Sequence, residues 1–394
     1  MPQRLRLPAA VVAAIVIAEA AVLLLRPKER YPVVEADPRA YFSATELQRA
    51  VDFRSGQLWL FGARTAVELA VLIGAVKFAP RAGKRPVVTG AAAAVALTLA
   101  TTTAALPLRA AARQRAKDVG LITQSWGGWA ADTAKSTAIT SVFAAGGGAL
   151  LVVGLRRFGR DWWAPGAAAV AGFAVVFSYL GPVALDPIFN RFEPLPAGET
   201  RDDVLELARK AGVDVGEVYE VDASRRTTAA NAYVTGLGTT KRVVLYDTLL
   251  KDFTPAETRL VVAHELGHVK HKDVPGGLLW LALVAPFGTL VVARVAERLT
   301  KPGATAVPAT VLALALVAPV LTAISNQLSR AIERRADAFA LELTNEPEAM
   351  IGFERRITVK NVGDPDPPRW QQLLLATHPT TMERIGAALA RQLE

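Results

Sequence analysis

TPAETRLVVAHELGHVKHKD, residues 254–273, is the stretch from which the rest of the chain is best read. Thr254, Pro255 and Glu257 supply an N-cap, a proline at the first helical position and a capping-box partner. They predict a helix that starts there and continues through Lys272. On such a helix His264 and His268, four residues apart, lie one above the other on one face. Their ring nitrogens can then reach one tetrahedral ion, while Glu265 is rotated about 100° to the side. The chain has only 4 histidines, and three fall here, so a solvated helix with incidental histidines is a poor account of the stretch. His271 sits two turns from His264, too far along the helix to share the ion, and reads as a surface residue or one beside the site.

With 0 cysteines in the chain, any metal site must be built from His, Asp and Glu. A zinc site that performs chemistry takes three protein ligands and leaves one position open for water. Ten residues after His264 stands Val274, which excludes a third histidine there, so the third ligand is expected to be a carboxylate on another helix. SRAIERRADAFALEL, residues 329–343, offers Glu333 and Asp337 at a spacing of four. Like charges so placed destabilise a plain helix, which suggests a cation between or beside them. Glu333 is therefore assigned to zinc, and Asp337 to holding a liganding imidazole in its tautomer. Ion pairing with Arg330, Arg334 and Arg335 is the competing reading of this segment taken alone.

The surroundings of these motifs are apolar. The chain has 394 residues, 52% of them hydrophobic, and a mean hydropathy of +0.27, too apolar for an ordinary soluble enzyme. The net charge of +9 sits largely in short clusters between apolar runs, which points to membrane flanks and away from nucleic acid. A helical span needs about 20 apolar residues. Residues 86–108, 136–155, 162–181, 274–293 and 303–329 carry no charge. Two further runs are 8–25, with Glu19, and 58–79, with Arg64, Glu68 and Lys77, which makes seven spans. Arg4 and Arg6 before the first run also suit a signal peptide, but the run ends LLLRP without a small-residue cleavage site and is read as an anchor. Loops on the N-terminal side carry eleven lysines and arginines, and the first two loops on the other side, residues 26–54 and 109–135, also carry eleven, so charge does not decide the topology. Residues such as Glu19 and Glu68 usually face a bundle interior or a water-filled cavity, here either in a helix-to-helix hydrogen bond or ion pair or lining a hydrated chamber.

The polar remainder reads as one small α+β domain interrupted by a helical hairpin. Thr200 can cap a helix through about Lys210. VYEVDAS (218–224), NAYVTGLG (231–238) and RVVLYD (242–247) have the alternation of short strands, with Gly236 and Gly238 marking a turn. The expected fold is thus an α-helical multi-pass membrane protein with about seven transmembrane helices and a small α+β domain of the zincin type. Residues 1–181 form a five-helix transmembrane region, 182–275 the first part of the zinc domain, 276–325 a transmembrane hairpin and 326–394 the second part of the zinc domain.

HELGH (264–268) followed by SRAIERRAD (329–337) resembles the M48 metallopeptidases, and within them the Ste24 or CAAX prenyl protease type. NAYVTGLGTTKRVVLYDTLL (231–250) and THPTTMERI (377–385) are similar to further motifs of that type. The resemblance implies a membrane zinc endopeptidase with one Zn2+ per chain, His264, His268 and Glu333 as ligands and Glu265 as general base. It implies an edge strand at Asn231 and Ala232 that holds an extended substrate, and His378 and Arg384 facing the scissile carbonyl. It also implies a hydrated chamber behind Glu19 and Glu68, a cytoplasmic zinc domain and an outside N-terminus. His378 before Pro379 and the Thr380–Glu383 capping box equally suits a helix start, and Asn231 a strand start. The expected partners are the lipid bilayer and a peptide or protein substrate, membrane-associated or lipidated ones included, and no nucleic acid. The alternatives are an HtpX-like quality-control protease and a non-enzymatic zinc-binding scaffold or transporter.

Overall fold

Local signals in the sequence start and stop most of the elements. The computed structural model describes residues 6–29, 31–236 and 241–393. In chain order the first helices are α1 (Arg6–Leu25), α2 (Pro38–Tyr41), α3 (Ala44–Lys77), α4 (Pro86–Asp118), α5 (Trp126–Phe158), α6 (Trp163–Ala184) and α7 (Asp186–Phe189). Then come β1 (Phe192–Pro194), α8 (Glu199–Ala211), β2 (Glu217–Val221), β3 (Ala232–Thr235), β4 (Arg242–Tyr246), α9 (Asp247–Asp252) and α10 (Pro255–Lys270). The chain closes with α11 (Asp273–Leu299), α12 (Val307–Thr344), α13 (Pro347–Lys360), α14 (Arg369–Leu374) and α15 (Thr381–Gln392).

Seven of these helices, α1, α3, α4, α5, α6, α11 and α12, are long and apolar enough to cross a membrane. Several run past the apolar windows seen in the sequence. Helix α3 begins at Ala44 because Ser43 and Glu46 cap it reciprocally, at 2.8 and 3.3 Å. Helix α12 continues beyond the uncharged run that ends at Ser329, so Glu333 stands one turn, about 6 Å, further along. The two glutamates inside spans both have partners. Gln327 Nε2 donates to Glu19 Oε1 across 2.9 Å, and Arg64 Nε lies 3.6 Å from Glu68 Oε1.

The polar segments build a four-stranded sheet in the order β1-β2-β4-β3. Strand β2 is parallel to β4, and β1 and β3 are antiparallel to their neighbours. Val218, Val243 and Leu245 of the sheet bury against Val262 and Leu266 of α10. Sequence and structure differ in a few places: α8 starts at Glu199 after Gly198, so Thr200 lies inside it and does not cap it. The strand expected over 218–224 stops at Val221, because Ala223–Arg225 turn into a 3-10 helix. Strand β1, three residues ending in Pro194, carries too short a pattern to be read from sequence. Gly236, at φ 101, does leave β3 in a turn conformation, whereas Gly238 lies outside the described residues.

Helix α10 lies between the sheet and helices α12, α13 and α15. Its Thr254–Glu257 capping box forms as expected, with hydrogen bonds of 2.8 and 3.2 Å. The face opposite the sheet, Leu260 and Ala263, packs with Ala340 and Leu341 of α12, Met350 of α13 and Ala388 of α15. The helix ends at Lys270, two residues before the expected Lys272, because Lys272 adopts a left-handed backbone (φ 57, ψ 46) and α11 starts at Asp273. Where α10 crosses α12, a Cβ on Gly267 would meet Phe339 Cδ1 at 3.1 Å and Ala336 Cα at 3.4 Å. A side chain there would have to push Phe339 aside by a few tenths of an ångström, and a branched one by more. Gly267→Val should therefore overpack the crossing and destabilise the protein by about 1–3 kcal/mol, read as a lowered unfolding midpoint in detergent. Wild-type stability in that variant would mean the crossing is looser than drawn.

Candidate active site

The helical repeat stacks His264 and His268 on one face of α10, with their Nε2 atoms 3.1 Å apart. The crossing with α12 adds Glu333, whose Oε2 lies 3.3 Å from His264 Nε2 and whose Oε1 lies 3.6 Å from His268 Nε2. One ligand atom from each residue falls within 4.8 Å of the others, and His264 and Glu333 are buried. Each imidazole has a carboxylate behind it. Asp337 Oδ1 is 2.9 Å from His264 Nδ1, and Asp273 Oδ2 is 2.9 Å from His268 Nδ1. With Nδ1–H of His268 donated to Asp273 and Nδ1 of His264 set against Asp337, the two Nε2 atoms and the Glu333 carboxylate converge on one spot. Three converging lone-pair donors repel one another unless a cation lies between them, so the donor set fits a metal ion. The field agrees with this. Burial pulls His264 down, but its hydrogen bonds to Asp337 and Glu333 outweigh that and push it up to about 10.

Glu265, beside the cluster on α10, makes no hydrogen bond or ion pair among the described residues, and burial pushes its carboxyl above the usual glutamate range. His378 stands at the mouth, its side chain 61% exposed and its Nε2 3.3 Å from Glu333 Oε2. Arg384 does not stand on the rim beside it. Its guanidinium lies one layer back, with Nε donating to Asp337 Oδ2 at 2.9 Å, Nη2 2.5 Å from Asp337 Oδ1 and Nη1 2.6 Å from Glu354 Oε1. Asn231 leads into β3 and its carbonyl accepts from Tyr246 N at 3.0 Å. Ala232, buried against the sheet core, opens the edge strand that runs beside α10. His271 turns away from the cluster: its Nδ1 lies 2.9 Å from the Gly267 carbonyl and its ring meets Phe339 edge-on at 5.5 Å.

Four residues at the site escaped the sequence reading. Tyr31, just after α1, donates to Asp337 Oδ2 at 3.2 Å. Glu354 is buried, and burial, opposed by Arg384 and reinforced by Asp337, pushes it up to about 7. Asp273 and Arg335 complete the set behind His268. Asp273 had a local signal, since it closes the histidine-bearing stretch, and Arg335 had one as a possible ion-pair partner on its own helix.

Comparisons with known proteins place the chain in a family. Residues 194–392 match peptidase family M48, and residues 56–191 match the CAAX prenyl protease N-terminal region of five membrane helices. The chain is 33% identical over 306 residues to the uncharacterized metalloprotease YhfN of Bacillus subtilis, covering 74% of this chain and 71% of that one. It is 33% identical over 243 residues to the probable CAAX prenyl protease 1 of Schizosaccharomyces pombe, covering 59% of this chain and 51% of that relative, about half its length. The crystal structure of S. mikatae Ste24p superposes with a TM-score of 0.78 at 19% identity, covering 98% of this chain and 99% of that one, which shows a shared fold. Fold and site together define a multi-pass membrane metallopeptidase. The chain belongs to peptidase family M48 and is homologous to the CAAX prenyl protease 1, or Ste24, type. The HtpX-like and non-enzymatic alternatives are not favoured, since the five-helix N-terminal match belongs to the CAAX protease type. His271→Ala is expected to leave the bound metal at about one ion per chain, and His268→Ala to remove it. Metal content by mass spectrometry of detergent-purified variants checks both, and loss of metal in His271→Ala would mean the ligand set is wrong.

Proposed function

We propose that the protein is a zinc endopeptidase that holds one Zn2+ per chain on His264, His268 and Glu333. The observation that carries this reading is the convergence of two Nε2 lone pairs and a buried carboxylate beside a glutamate with no other partner. Zinc held there supplies Lewis-acid chemistry, acidifying a water and polarising the scissile carbonyl. Glu265 takes the water's proton and passes it to the leaving amine, so no covalent intermediate is needed. Asp337 keeps His264 in the tautomer that presents Nε2 forward, and Arg384, flanked by Asp337 and Glu354, holds Asp337 in place. His378 at the mouth is placed to donate to the carbonyl oxygen as charge develops on it. The outer edge of β3, entered through Asn231 and Ala232, is open among the described residues and suits backbone pairing with an extended peptide.

For the substrate, we favour peptides or proteins presented at the membrane, lipidated ones among them. Relatives are named for CAAX prenyl cleavage, and this chain exposes Trp370, Leu373, Leu374 and Leu375 shortly before His378, an apolar surface suited to an apolar substrate. The catalytic halves are assigned to the cytoplasmic side and the N-terminus to the outside. A reporter active only in the cytoplasm, fused after the last residue, should give signal, and its silence would reverse the orientation.

Two glutamates carry different roles and separate cleanly. Glu265→Gln should keep about one zinc per chain while turnover falls by about 10^2–10^4-fold for want of a base. Glu333→Ala leaves two histidines, so zinc affinity itself should fall, and activity should partly return with excess zinc. Metal content beside cleavage of a peptide that the wild type cuts decides the matter. Zinc lost from Glu265→Gln but kept with full activity in Glu333→Ala would show the roles misassigned.

A further inference from the structure

The end of the histidine-bearing stretch holds an arrangement that the reaction as described leaves unused. On one side of the cluster, His264 is backed by Asp337, and Asp337 by Arg384. The other side repeats the pattern with different residues. His268 Nδ1 lies 2.9 Å from Asp273 Oδ2, and the second oxygen of Asp273 is taken by Nη2 of Arg335, which comes from α12. The Asp273 side chain is only 9% exposed, and these two are its partners.

We infer that Asp273 and Arg335 form a second orienting relay, which fixes the imidazole of His268 as Asp337 and Arg384 fix that of His264. The inference rests on the metal site proposed above and makes Asp273 a positioning residue.

The backbone is shaped for this contact. At about 100° per residue, a side chain five places along an unbroken helix points roughly 140° away from His268 and cannot reach its ring. The chain instead leaves α10 after Lys270, and Lys272 takes a left-handed conformation that non-glycine residues seldom adopt. That turn brings Asp273 back under His268. Strained backbone at a non-glycine position is commonly kept where it serves a site. Arg335 lies two residues beyond Glu333 on α12, so the element that supplies the third ligand also supplies the cation that pins Asp273. Nδ1–H donation to Asp273 leaves Nε2 of His268 as the free lone pair, the state a metal needs. Without Asp273 the ring can rotate or carry its proton on Nε2.

Asp273 is also the first residue of α11, where a negative charge favours the helix. A merely structural role of that kind changes stability without changing how tightly metal is held, so metal affinity is the deciding measurement. Full-length protein in detergent is prepared as wild type, Asp273→Asn, Asp273→Ala and His268→Ala. Zinc affinity is measured by competition with a chelator, and the visible absorption of the cobalt-substituted forms is recorded. Asp273→Ala should weaken zinc binding by about 10–100-fold and shift the cobalt band. Asp273→Asn should lose less, because its amide oxygen still accepts the Nδ1–H. Wild-type affinity and an unshifted band in Asp273→Ala, while His268→Ala loses its metal, would overturn the inference and leave the site intact. If Asp273→Ala does not fold, Asp273→Ser, whose shorter side chain suits a helix start but falls short of the ring, is measured in its place, and wild-type affinity and band in that variant overturn the inference equally. A His268→Ala variant that keeps its metal would overturn the proposed site itself.

Discussion

The crossing of α10 and α12 presses three electron-rich atoms together, and the rest of the structure is arranged around that contact. His264 and His268 arrive stacked by the helical repeat, and Glu333 is brought to them by the packing of α12 on α10, where Gly267 leaves room for Phe339 and Ala336. The core agrees with this crossing on both sides. Val262 and Leu266 seat α10 on the sheet, and Leu260 and Ala263 seat it against α12, α13 and α15. A cluster of lone pairs held this tightly is unfavourable by itself, so burial of the flanking apolar residues has to hold the helices in place until a cation neutralises the donors.

Charge behind the cluster is balanced in layers. Asp337, fully buried, accepts from Arg384 and Tyr31 and lies 2.9 Å from His264 Nδ1, so a carboxylate removed from water is surrounded by donor groups. Removing one partner of such a buried set typically costs about 3–5 kcal/mol, because the remaining charge is left uncompensated. Arg384 in turn faces two buried carboxylates, and one guanidinium cannot fully compensate both, which is consistent with Glu354 sitting near neutrality. All three guanidinium nitrogens of the arginine that sequence resemblance placed at the substrate are thereby taken up by Asp337 and Glu354.

The membrane part contributes to this support. The segment after α1 crosses α15, where Val34 N donates to the Gly386 carbonyl at 3.0 Å and a Cβ on Gly386 would meet Val34 O at 2.3 Å. Two residues earlier on the same helix stands Arg384, and the same segment carries Tyr31 to Asp337. Leu121 and Thr123, between α4 and α5, join the chain around Arg226–Thr228 just before β3. The small domain is therefore braced by the connections between membrane helices as well as by its own core.

The sequence alone determined whatever depends on neighbours within one or two turns. Capping residues started α10, a four-residue spacing stacked His264 and His268, uncharged runs marked the spans, and two carboxylates on one helix face pointed to Glu333 and Asp337. The membership of the family followed from the same short motifs. Tertiary structure alone decided what depends on long-range contact or on a single backbone turn. The approach at Gly267, the reach of Tyr31 to Asp337 and the place of Arg384 between Asp337 and Glu354 join residues tens to hundreds of positions apart, and no local pattern encodes them. The return of Asp273 to His268 spans only five residues, yet it hangs on a left-handed Lys272. An L-residue takes that conformation only when the packing around it outweighs the local strain, and that packing is a property of the folded whole.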